Sequence, residues 1–228
     1  MPTEITVTAH KYSELDGRAK EKAHAKLVEW ITDHEWWQYV YEDAKAEGLA
    51  KGFEISDIRF EGFWSQGDGA HWTGHVNMPE FVRLNLDERS ANYASDVILI
   101  ELWDNGWIDR WLGIINNSYR YCHSGGMKIS EYLNNEFELD EGDDNEHNVL
   151  NKGVLQGASV YQLLNSFPYS AEARVTEWCD EALEQARKFA DEIYRKLEKE
   201  YYELTSEESL NDFADANEYL FDERGNIL

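Results

Sequence analysis

The chain has 228 residues, of which 42% are hydrophobic and 14% aromatic, and its 46 acidic and 21 basic residues give a net charge of −25. Disordered acidic chains are poor in aromatic residues, so this composition predicts a folded protein. A surface this acidic repels nucleic acid and anionic membranes, which argues against direct binding to either. It attracts basic surfaces, and most of those belong to nucleic-acid-binding proteins.

Cysteine usage and apolar runs predict the compartment. Cys122 and Cys179 are far apart in the chain and are predicted to be free thiols, which fits a reducing environment. The N-terminus lacks the apolar segment of a signal peptide, and no run approaches the roughly 18 apolar residues of a membrane span. We therefore expect a cytoplasmic protein.

The N-terminal part predicts a strand over residues 3–9 followed by two helices. The first helix is capped by Ser13 and carries an apolar stripe spaced by four, formed by Leu15, Ala19, Ala23, Leu27 and Ile31. The second helix, about residues 34–49, carries Trp36 and Trp37 and is ended by Gly48 and Gly52.

The middle of the chain changes to a strand-like pattern. Alternation over residues 53–75 predicts a β-hairpin with a glycine-rich turn. Further strands are predicted at 97–103 and 113–121, and an acidic flexible loop at 134–150.

The C-terminal part, residues 170–228, is predicted to be helical with a small terminal hairpin. A long helix spans about residues 170–202, and a short acidic helix spans 206–218 after the cap-like Thr205-Ser206. Together these elements predict a single α+β domain over residues 1–228. Its central antiparallel sheet is packed by two N-terminal helices, the long C-terminal helix and the short acidic helix.

The acidic residues are concentrated in two stretches without lysine or arginine, 130–147 and 200–223, which hold 17 of the 46 acids. In the second stretch, four acids spaced by four, three and three fall on one helical face. Five carboxylates over about 18 Å give a pitch of roughly 3.6 Å, close to the ~3.4 Å spacing of phosphates along a DNA strand. The alternative is a solvated face without a partner. The predicted acidic binding face comprises Glu207, Glu208, Asp212, Asp215 and Glu218, together with Glu138, Asp140, Glu141, Asp143 and Asp144.

No motif in the chain predicts catalysis. The seven histidines lack metal-ligand spacing, and nucleophile-elbow, P-loop, dinucleotide and zinc-protease signatures are missing. The acidic loop also lacks the ligand spacing of a calcium loop. We therefore expect a protein that is not an enzyme, with no catalytic residues, no cofactor and no metal.

The hairpin turn is the second predicted site. Its glycines permit a sharp turn with exposed backbone N–H groups, a shape suited to an anion or to the edge of a ligand. The alternative is a hairpin held by aromatic packing across its strands. The predicted ligand- or partner-binding loop comprises Trp64, Ser65, Gln66, Gly67, Asp68, Gly69 and Trp72.

The first third of the chain resembles a known family. Glu14-Leu15 with Ala19-Lys20-Glu21-Lys22-Ala23, then the stretch from His34 to Lys45 and the segment 55–74 with Trp-Ser-Gln-Gly-Asp-Gly, are similar to a widespread family of small phage and prophage proteins. Its members are often labelled "antitoxin of toxin–antitoxin stability system". This chain has His71-Trp72 where the family has a small residue and Phe. The resemblance implies phage origin and a host bacterial cytoplasm, and it supplies no catalytic residues.

The charge and the resemblance together predict a phage-encoded, non-enzymatic inhibitor. Its acidic, nucleic-acid-mimicking surface would bind a basic host protein, either a nucleic-acid-binding protein or a defence factor. One alternative is a small-molecule binder that sequesters a signalling nucleotide at the loop 65–69, and another is an antitoxin that neutralises a basic toxin. With nine tryptophans, an isologous homodimer is also compatible with the sequence.

Overall fold

A computed structural model describes residues 7–104, 112–117, 121–131 and 158–228. It confirms the α+β class, with helices and a four-stranded antiparallel sheet. The backbone divides into two compact units, Met1–Asp43 with Ile193–Leu228 (unit 1) and Ala44–Glu192 (unit 2). The predicted acidic loop at 134–150 lies outside the described residues, and the single domain stays a prediction.

Unit 1 is built around helix α1, Gly17–Ile31. The apolar stripe predicted for this helix lies in a core with Tyr12, Leu210, Ala214 and Phe221. The predicted cap at Ser13 is wrong, because Ser13 lies inside a 3₁₀ turn, Tyr12–Glu14, and Asp16 occupies the N-cap position. The turn lets Tyr12 enter the core, where 1% of the residue is exposed.

The C-terminus of unit 1 confirms the predicted short helix and the terminal hairpin. The short helix, called α6 here, spans Glu207–Ala216, and the Ser206 hydroxyl accepts a hydrogen bond from the Ser209 N–H. After it, Phe221 pairs in antiparallel fashion with Ile227 and with His10. The described part of the predicted strand at 3–9, residues 7–9, is not a strand.

Unit 2 contains the sheet, in the order β1–β2–β3–β4. The strands are β1 (Phe53–Glu61), β2 (Gly69–Asn77), β3 (Leu112–Asn117) and β4 (Met127–Glu131). The predicted hairpin is therefore confirmed as β1 and β2. One face of this hairpin carries buried side chains such as Phe53 and Trp72, whereas the other carries Arg59 and His71, which pair across the strands.

The helices of unit 2 correct two predictions. The segment predicted as a strand at 97–103 is part of helix α4, Tyr93–Asp104, which follows the short helix α3, Met78–Leu84. Helix α2, Gln38–Ala50, begins after Trp36 and Trp37 and contains Gly48, so this glycine does not end the helix. A side chain at position 48 would meet Ile55 Cδ1 at 2.8 Å, so the residue is small because the helix packs closely on β1.

The long C-terminal helix, α5, spans Ala158–Leu204 and begins earlier than predicted. Its described side chains start at residue 173. Within unit 2, Phe189 stacks on Phe53 with ring centroids 6.5 Å apart, and the Trp72 indole donates to the Ala186 carbonyl at 3.1 Å. These contacts place α5 on the apolar face of the hairpin.

Candidate partner-binding surfaces

The loop between β1 and β2 is closed by its own carboxylate. Asp68 Oδ2 accepts hydrogen bonds from the backbone N–H groups of Trp64, at 2.8 Å, and Ser65, at 2.7 Å. The Asp68 N–H in turn donates to the Ser65 carbonyl at 3.1 Å. The prediction of exposed N–H groups is therefore wrong for Trp64 and Ser65, because a carboxylate already occupies the place that an anion would take.

The two tryptophans of the predicted loop have opposite environments. Trp64 is 68% exposed, whereas Trp72 is 0% exposed and donates its indole N–H to the main chain of α5. Trp72 pairs with Ile58 across the strands and points into the core. It must therefore be removed from the predicted binding surface, while Trp64, Ser65 and Gln66 remain exposed on it.

A segment that the sequence did not predict as part of the site lies against this loop. A Cβ built on Gly67 would lie 3.3 Å from Tyr121 Cδ1, and one built on Gly69 would lie 2.7 Å from the Cys122 carbonyl oxygen. Both glycines are thus needed for the close approach of residues 121–123. Tyr121 is 51% exposed, and its ring stacks on that of His123 with centroids 6.4 Å apart. In the sequence, the two glycines were the feature that pointed to this contact.

Beside the loop lies a small group of titratable side chains. His71 is 8% exposed, and its Nδ1 is buried without a hydrogen-bond partner among the described residues. Burial, followed by the charge of Arg59, lowers the pKa of His71. Burial and the charge of Glu61 raise the pKa of the Cys122 thiol, which makes it a weak nucleophile at neutral pH.

The acidic face on α6 is exposed, as the spacing predicted, but it is shorter than predicted. Glu207, Glu208, Asp212 and Asp215 are exposed, and Leu210 and Ala214 are buried on the opposite side. Glu218 lies beyond the helix with a φ of 55°, so it does not continue the row.

Two lysines of unit 1 bind carboxylates of this row. Lys20 forms an ion pair with Glu207, and Lys11 Nζ lies 3.3 Å from Asp215 Oδ1. The hydrogen bond from Lys20 lowers the pKa of Glu207. Within the described ranges, Glu208 and Asp212 have no such partner. The row therefore presents two unpaired charges one helical turn apart, not five at a constant pitch.

The remaining predicted acids, Glu138, Asp140, Glu141, Asp143 and Asp144, lie outside the described residues. In the part of the chain that the structure covers, no group of three or more His, Cys, Asp and Glu side chains is arranged to hold a metal ion. No described helix is long and apolar enough to cross a membrane.

Comparison with known proteins places the chain in a family. No curated protein and no solved structure matches it. A family model described as a domain of unknown function, DUF8835, matches residues 36–207, which include the hairpin, its loop, all of α5 and the first residue of α6. Because the match covers about three quarters of the 228 residues, the chain belongs to the DUF8835 family.

Proposed function

We propose that this protein is a non-enzymatic inhibitor that binds a basic protein in the cytoplasm of a bacterial host. The observation that carries the proposal is a pair of exposed carboxylates on α6, those of Glu208 and Asp212, which have no ion-pair partner among the described residues, in a chain of net charge −25. Residues four apart on a helix lie on the same side, so both charges meet one partner surface.

The helix that carries these charges is held firmly. Its other side is buried through Leu210 and Ala214, and Ser206 caps its first turn. A helix that is already folded needs no backbone ordering when it binds, and opposite charge accelerates the encounter with a basic surface. A nucleic-acid-binding protein or a defence factor presents such a surface.

The bacterial host is suggested by the resemblance of residues 11–75 to phage and prophage proteins. The label that members of that family often carry, an antitoxin, describes a closely related case. A basic toxin would be recognised by the same carboxylates, so the two cases share one test.

The experiment uses the immobilised full chain as bait in a bacterial lysate at 0.05 M and 0.5 M salt. The bait variant Glu208→Gln/Asp212→Asn removes the two charges, and Asp33→Asn/Glu35→Gln removes two exposed charges in the turn between α1 and α2. We expect a basic protein to be captured at low salt and lost at high salt, since the Debye length falls steeply with ionic strength.

We expect the α6 variant to bind this protein roughly tenfold more weakly, because two exposed ion pairs contribute about 0.2–1 kcal/mol each. The Asp33/Glu35 variant has the same net charge and should bind almost as the original chain does. If both variants lose the same affinity, overall charge and not α6 is responsible. If no basic protein is recovered at low salt, the proposal is wrong.

A further inference from the structure

We propose that the hairpin loop of unit 2 binds an arginine or lysine side chain through the exposed rings of Trp64 and Tyr121. This inference rests on the proposed basic partner and adds a contact of different chemistry, in which a cation lies over aromatic rings.

The two rings belong to one local surface. Trp64 and Tyr121 are large aromatic side chains that are 68% and 51% exposed. Trp64 begins the turn that Asp68 closes, and a Cβ built on Gly67 of the same turn would lie 3.3 Å from Tyr121 Cδ1. Two exposed aromatic side chains, one from the loop and one from the segment 121–123, therefore border the same turn.

The rings are held before any partner binds. Asp68 fixes the backbone of Trp64, and the Trp64 ring packs edge-on against Phe63 with centroids 5.9 Å apart. Phe63 in turn stacks on Phe60 at 5.8 Å, and Tyr121 stacks on His123. Rigid aromatic side chains lose little conformational entropy on binding, which is why exposed Trp and Tyr recur as anchors of interfaces.

The neighbouring charges favour a cation over an anion. Glu61 is exposed and close enough to Cys122, the residue after Tyr121, to act on its thiol. The charge of Arg59 acts on the same thiol, but less strongly than that of Glu61, and the Arg59 side chain donates to Asp57 at 2.9 Å. A guanidinium or ammonium over the ring faces would gain from their quadrupoles and from Glu61. A nucleotide would stack on the same rings but bring its phosphates toward Glu61.

The test measures fluorescence anisotropy of a labelled Gly/Ser peptide that contains three arginines, and of the same peptide with three citrullines. Citrulline keeps the planar shape and removes the charge. The protein variants are W64F, W64L and W64A. The control Y39A removes a still more exposed aromatic residue, 80% exposed, from unit 1. Because Trp64 is mostly exposed, all of these variants are expected to fold, and circular dichroism verifies this.

We expect W64A to weaken binding of the arginine peptide by about 5- to 30-fold, the range that corresponds to a cation over a partly desolvated ring. W64F should retain more affinity than W64L, although both are apolar, since only the ring has a quadrupole. The citrulline peptide should bind weakly to every variant, and Y39A should bind as the original chain does.

Four results would overturn this inference. Equal binding of W64F and W64L would show a hydrophobic contact, and tighter binding of labelled oligothymidine than of the arginine peptide would show base stacking. If all three Trp64 variants bind the peptide as the original chain does, while Glu208→Gln/Asp212→Asn still weakens binding, the loop is not the binding site and the proposed function stands. Failure of the original chain to bind the arginine peptide at 0.05 M salt would count against both.

Discussion

The carboxylate of Asp96 on α4 accepts two hydrogen bonds from the guanidinium of Arg174 on α5, one from Nε at 2.6 Å and one from Nη2 at 2.9 Å. The indole N–H of Trp178 donates to the same carboxylate at 2.9 Å. Only 3% of the Asp96 side chain and 18% of the Arg174 side chain are exposed. Three donors thus satisfy one buried charge and join α4 to α5 inside unit 2.

We expect Asp96→Ala to lower the free energy of unfolding by about 3–5 kcal/mol, because it leaves the Arg174 charge and the Trp178 N–H without their buried acceptor. Urea denaturation followed by tryptophan fluorescence measures this loss. The matched control is Asp57→Ala, which removes an exposed ion pair with Arg59 and should cost less than about 1 kcal/mol. Similar losses for both variants would mean that the buried pair is no more important than a surface pair.

His71 predicts that unit 2 becomes less stable in acid. Its folded pKa is lowered, chiefly by burial, so the unfolded chain binds a proton at a pH where the folded chain does not. The free energy of unfolding therefore falls as the pH drops below the unfolded pKa of about 6.5, by at most about 1.4 kcal/mol per pH unit from this one group.

The measurement is the urea midpoint of the original chain and of His71→Gln between pH 7.5 and pH 5. The variant should lose part of this pH dependence, because its side chain does not titrate. His34→Gln controls for the removal of a histidine as such, since His34 is exposed in a turn. An unchanged slope in His71→Gln would contradict the prediction.

Gly225 and Gly17 both have a positive φ, but only Gly225 is also in close contact with another part of the backbone. Gly225 has a φ of 75°, and a Cβ there would lie 2.1 Å from the backbone oxygen of Ala19, whereas Gly17 has a φ of 48° and open space around it. Gly17→Ala should cost about 1–2 kcal/mol from backbone strain alone. Gly225→Ala should cost about 1–3 kcal/mol more, because the terminal hairpin must move away from α1. Thermal unfolding of the two variants compares them directly, and equal losses would contradict the close contact.

Local periodicity was enough to predict α1, the β1–β2 hairpin and most of the long helix α5. It failed at 97–103, because an apolar run without a clear period fits a buried strand and a buried helix equally well. In the structure this run is helix α4, whose first turn contains the buried Asp96. Its partner Arg174 is 78 positions away, and no local pattern reveals such a pair.

The candidate surfaces were predictable only in part, for a similar reason. Composition placed an aromatic hairpin loop and an acidic helix correctly, but the roles of individual residues depended on distant partners. Trp64 and Trp72 look alike in sequence, and only the strand register and the carbonyl of Ala186 make one exposed and the other buried. Likewise, the spacing on α6 gave five acids, whereas Lys20 and Lys11 from the start of the chain pair with two of them.

Those two lysines predict a substitution that strengthens binding to the proposed partner. Lys20→Gln and Lys11→Gln would release the carboxylates of Glu207 and Asp215 and so double the number of unpaired charges on α6. If α6 binds a basic protein, the double variant should bind it a few-fold more tightly at 0.05 M salt, although most interface substitutions weaken binding. Surface plasmon resonance with the captured partner measures this, and the gain should appear mainly in the association rate and vanish at 0.5 M salt.

The control for net charge is Lys26→Gln/Lys51→Gln, which removes two exposed lysines that pair with acids elsewhere, Glu29 and Glu192. An equal gain from both double variants would assign the attraction to the chain's overall charge, and no gain from Lys20→Gln/Lys11→Gln would remove α6 from the interface.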